Sequence, residues 1–132
     1  MTYRFSFRAA GLLLILALAP TISFAQSTDT PSTTPTVDQL LQSARELRKK
    51  NRPDEAIQVI ETGLTYHVDH PELLYRLACY YYGSHHTHEA TFYLETALQK
   101  NPRLFNQAFE YMPQMEKDAV VVDLVHSYQK NV

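Results

Sequence analysis

The chain has 132 residues, enough for one domain, with 20% charged and 45% hydrophobic side chains, three Gly, seven Pro, no Trp and a formal net charge of −2. Nucleic-acid binding rests on clustered cationic contacts with phosphate, and a mildly acidic chain does not supply them. A single cysteine, Cys79, rules out an intrachain disulfide, so stability has to come from packing.

The first residues are patterned for export rather than for folding. Arg4 and Arg8 precede an apolar run from Ala9 to Ala19, and Ser23-Phe24-Ala25 has the small-x-small pattern of a cleavage site. This layout predicts a secretory signal peptide over 1–25, with the mature chain starting near Gln26; an apolar core of this length is too short to span a bilayer comfortably. The alternative is an uncleaved anchor. No Cys stands at the cleavage site to carry a lipid. Without Arg4 and Arg8, ten basic side chains face fourteen acidic ones. Residues 26–36, QSTDTPSTTPT, contain no apolar side chain and predict a disordered spacer, because nothing there offsets the entropy of ordering it.

Helical periodicity then takes over. Thr36 and Gln39 have capping-box spacing and predict a helix over Val37–Lys50, with Leu40, Ala44 and Leu47 inward. Asn51-Arg52-Pro53 predicts a turn in which Asn51 takes the left-handed conformation and Pro53 opens the next helix, to Tyr66, burying Ala56, Ile57, Ile60 and Leu64. Pro71 opens a third helix with Leu74, Leu77, Ala78 and Tyr81 inward, closed by Gly83. Thr87 caps a fourth, burying Ala90, Leu94, Ala97 and Leu98 and ending at Asn101-Pro102. Over 102–132 the period persists, but Pro113 divides it into a short helix and a longer one, about Lys117–Lys130, with Val121, Leu124, Val125 and Tyr128 inward.

Shifted by 34 residues, the chain matches itself: Leu40 falls on Leu74, Ala44 on Ala78, Ala56 on Ala90, Ile60 on Leu94, Gly63 on Ala97 and Leu64 on Leu98. That period, with small residues on small ones and large on large, marks stacked helical hairpins. The series Leu74, Leu77-Ala78, Tyr81, Ala90, Leu94, Ala97, Pro102 resembles the tetratricopeptide repeat family, and Leu40, Ser43-Ala44, Leu47, Ala56, Ile60, Gly63 follows it with Val68 in place of the terminal Pro. The resemblance implies an all-α fold, a tetratricopeptide-like right-handed solenoid of about six helices, with repeats at 37–70 and 71–104 and a degenerate capping repeat at 105–132. It also implies a small exported bacterial protein, periplasmic or secreted, whose first helices line a groove for a protein or peptide partner. The family's groove positions fall on Asp38, Leu41, Arg45, Arg48, Glu72, Tyr75, Cys79 and Tyr82. The Asn residues of the subset that clamps a C-terminal carboxylate are absent.

Other chemistry is thinly represented. His85, His86 and His88 are the only cluster with metal-ligand character, to be weighed against a plain polar turn between helices. Cys79 reads as filler of core or groove, with intermolecular disulfide formation or redox chemistry as its alternative. No nucleophile–base set, carboxylate pair or Gly-rich phosphate loop can be assembled, so no enzyme and no cofactor are expected. The expected function is a non-enzymatic adaptor, without a stable membrane span once the leader is cleaved. Self-association through exposed repeat ends is the alternative, and metal binding or redox activity a third.

Overall fold

Prolines and left-handed turn residues divide the chain into helices, and the computed structural model describes residues 33–132. The expected signal peptide and most of the expected spacer lie outside the described residues. Five α-helices follow: α1 (Val37–Lys49), α2 (Pro53–Tyr66), α3 (Pro71–Gly83), α4 (Thr87–Lys100) and α5 (Ala119–Gln129). Two 3-10 helices, Pro102–Gln107 and Pro113–Lys117, separate α4 from α5, and no strand is present among the described residues. None of the helices described is long and apolar enough to cross a membrane.

The starts of these helices follow from local chemistry. Thr36 accepts from the Gln39 backbone N–H at 3.2 Å, and the Gln39 side chain accepts from the Thr36 N–H at 2.9 Å. This reciprocal cap satisfies two donors that the first turn leaves without partners. Pro53 and Pro71 occupy first-turn positions, where a missing N–H costs nothing. Asp118 caps α5 by accepting from Val120 N–H at 3.0 Å and Val121 N–H at 3.4 Å.

Two hairpin turns are built alike, 34 residues apart. Asn51 and His85 both have positive φ, 59° and 66°. After α1 the Arg52 N–H reaches the Leu47 carbonyl and the Asn51 N–H the Arg48 carbonyl; after α3 the His86 N–H reaches Tyr81 and the His85 N–H reaches Tyr82. Two expectations are corrected here. Gly83 remains helical while His85 makes the left-handed closure, and the N-cap position of α4 is His86, with Thr87 already inside the helix. The hairpin ends match too: the N–H of His67 bonds the Gly63 carbonyl as that of Asn101 bonds Ala97, each at 2.9 Å. Beyond Asn101 the likeness stops, because Pro102–Gln107 winds as a 3-10 helix where the first hairpin leads on to the left-handed Asp69.

Each helix from α1 to α4 packs on the next, and α1 also reaches α3. One core joins Leu40, Leu41, Ala44, Ala56, Ile57 and Ile60 to Leu73, Leu77 and Tyr80 of α3. A second joins the other side of α3, at Leu74, Tyr75, Ala78 and Cys79, to Leu94, Ala97 and Leu98 and to Leu104, Ala108, Met112, Met115, Val121 and Val125. Consequently α3 is buried without interruption from Leu73 to Tyr80, the behaviour of a central helix rather than of one with a wet face. Leu47, Leu64, Tyr81, Leu124 and Tyr128, expected inside, are half-buried.

Candidate functional site

The segment after α4 determines which expected groove positions remain open. Its first 3-10 helix packs on α4 and α5, and from Gln107 to Tyr111 the chain meets α3. The Tyr75 hydroxyl reaches the carbonyls of Gln107 at 2.8 Å and Ala108 at 3.2 Å, and accepts from the Tyr111 N–H at 3.4 Å. Tyr75 is therefore only 4% exposed, and Cys79, one turn on, is 0% exposed. Both were expected on an open groove; the chain's own C-terminal segment covers them. Burial pushes the Cys79 thiol up to about 12, which keeps it protonated and unreactive at ordinary pH.

The other expected positions are distributed unevenly. Asp38 and Arg45 are exposed on α1, and Leu41 is buried in the first core. Glu72 is half-buried and accepts from the Arg76 guanidinium at 3.2 Å. Arg48 and Tyr82 are half-buried and meet in a cleft of about 400 Å³, where Gly83, His85, Thr87, Met112 and Gln114 complete the lining. The Tyr82 hydroxyl points to the Asp118 carboxylate at 3.4 Å.

Sequence reasoning placed Arg48 and Tyr82 at matching repeat positions but did not foresee Met112 and Gln114, which come from the irregular segment. Nor did it single out Arg76. That side chain is only 9% exposed, with its guanidinium carbon 3.7 Å from the centre of the Tyr111 ring. The signal was available: an arginine inside the apolar run Leu73–Tyr80 is either paired or expensive.

The histidines do not converge. His85, His86 and His88 are all exposed; His85 makes the left-handed turn and His86 stacks edge-on against Tyr81 with ring centres 6.0 Å apart. Among the described residues no three His, Cys, Asp or Glu side chains are grouped to hold a metal ion. The class defined by these features is an all-helical protein with a cationic cleft between two helix ends and a folded-back C-terminal segment. Comparison with known proteins finds no matching family model, no similar curated protein and no similar solved structure.

Proposed function

We propose that the protein is an exported, non-enzymatic adaptor of tetratricopeptide-like build that holds a segment of a protein partner along α1 and in the cleft at its end. The observation that carries this reading is the convergence of Arg48 and Tyr82, from equivalent positions of two like hairpins, on an open cleft. Identical closure at Asn51 and His85, 34 residues apart, supports the repeat architecture. With Tyr75 and Cys79 covered, the binding surface consists of Asp38, Arg45, Arg48 and Tyr82, extended by Met112 and Gln114.

The expected leader supports an adaptor working in the periplasm or outside the cell, and the acidic balance of the rest speaks against nucleic acid as its partner. Affinity capture from the native cell envelope, with an Arg45→Ala/Arg48→Ala variant as control, tests the adaptor reading. A partner retained by the parent and lost by the variant supports it, and a partner held equally by both removes the cleft from consideration.

Self-association is a second reading with its own observation. Leu40, Leu47, Glu55, Gln58, Val59 and Thr62 line a depression of about 340 Å³ formed by α1 and α2 alone. Light scattering after size exclusion separates the two readings: a single monomeric mass at every concentration favours the adaptor, and a concentration-dependent dimer favours stacking of copies.

A further inference from the structure

The molecule sets an arginine against a tyrosine twice around one aromatic pair, and completes only one of the two with a carboxylate. Tyr80 of α3 and Tyr111 of the C-terminal segment lie with ring centres 6.0 Å apart and hydroxyls 3.3 Å apart. Arg76 covers the Tyr111 ring at 3.7 Å, and Arg48 covers the Tyr80 ring at 5.0 Å. Arg76 also has an acid, Glu72, at 3.2 Å.

Arg48 has no acid: it forms no salt bridge among the described residues, and its Nη1 is buried without a hydrogen-bond partner. The lining of its cleft includes no carboxylate, and the nearby Asp118 already receives Tyr82 and caps α5. Only Nη1 is enclosed; Arg48 as a whole is half-buried, so a guanidinium oriented by packing and lacking an acid of its own remains within reach of a carboxylate brought by a ligand.

Resting on the adaptor reading, we infer that the Arg48 cleft receives an aspartate or glutamate side chain of the bound polypeptide. The planar guanidinium fork matches a carboxylate in two-point geometry, and the ring beneath it fixes the plane of that fork. Tyr82 and Met112 give the flanking part of the ligand aromatic and apolar walls, and a cleft of about 400 Å³ has room for a short side chain with its neighbouring backbone. Exposed Arg45, three residues before Arg48 on the same side of α1, extends the positive strip along which an acidic segment would lie. Gly83 keeps the place open: a Cβ there would stand 3.2 Å from Nη1 and 3.3 Å from both Nη2 and the Met112 methyl.

The test is an NMR titration of the ¹⁵N-labelled protein with the blocked dipeptide acetyl-Leu-Glu-amide, its Leu-Gln counterpart and inorganic phosphate. The Glu dipeptide is expected to shift the Gly83 amide and the Arg48 Nε–H signal saturably, at least tenfold more tightly than the Gln dipeptide or phosphate. Arg48→Met is expected to weaken it at least tenfold. Gly83→Leu, which keeps the charge and fills the cleft, is expected to do the same, with unchanged amide spectra elsewhere as the check on folding. Equal affinity for the Glu and Gln dipeptides, phosphate binding as tight as the Glu dipeptide, or saturation that survives both variants would overturn the assignment. If a captured partner is lost by the Arg45→Ala/Arg48→Ala variant while the dipeptide leaves Gly83 unmoved, this inference fails and the adaptor reading stands. If the dipeptide titrates the cleft and no partner is captured, the adaptor reading fails instead.

Discussion

Single residues carry the backbone strain and the silenced chemistry of this chain. His85 has φ 66°, a region where a side chain with Cβ is disfavoured and glycine is not. His85→Gly is therefore expected to stabilise the fold by about 0.5–1 kcal/mol in urea unfolding, and Asn51→Gly by less, because asparagine tolerates the same region. Cys79 is the opposite case, chemically capable but enclosed. With its thiol raised to about 12 by burial, folding favours the protonated form. That part of the stability is complete below the ordinary thiol range and is lost as pH rises from there to about 12. Native protein at pH 8 is expected to resist iodoacetamide, with mass spectrometry finding one adduct only after denaturation; rapid native labelling would mean that the C-terminal segment does not cover α3. In the same way the Glu61 carboxylate, accepting the Tyr81 O–H at 2.6 Å, holds that phenol well above its usual range.

At the scale of elements, the sequence was most readable where proline and capping chemistry act locally. The limits of α2 follow from Pro53 and the apolar period, and those of α1 differ from expectation by one residue. Thr36→Ala removes one half of the reciprocal cap and is expected to cost about 1 kcal/mol in denaturant unfolding, with the loss of amide protection confined to the first turn of α1. The irregular segment was far less readable. Leu104, Ala108, Met112 and Met115 are all buried, yet they sit in and around 3-10 turns whose spacing follows neither 3.6 nor 2. Because that segment was opaque, so was what covers Tyr75 and Cys79, although the nearly uninterrupted apolar run Leu73–Tyr80 already marked a helix without a wet face. His85 was missed for another reason. Asn51 was read correctly, and the 34-residue offset from it leads to His85, but the neighbouring Gly83 looked the more natural place for a positive φ.

For the whole molecule, α3 is the shared wall of both cores, so damage on either side should be felt globally. Met115, 0% exposed, lies in the second core beneath α5. Met115→Ala is expected to destabilise the fold by about 3 kcal/mol, measured by urea unfolding. Cys79 alkylation should accelerate in the same variant, because the segment that covers the thiol is loosened. A variant with intact stability and an equally protected thiol would show that the C-terminal segment merely rests on the preceding helices. The all-α class was legible in advance, since it depends on a helical period sustained over many residues. The cleft was not, because it needs three separate stretches of chain to meet.

The two ends of the helical domain also differ. Beyond α4 the C-terminal segment is welded into the second core, whereas α1 and α2 keep a depression lined by Leu40, Leu47 and Val59. A further hairpin spliced ahead of Val37 would therefore find an apolar hollow to fill, and urea unfolding of the lengthened chain should register the added burial as added stability.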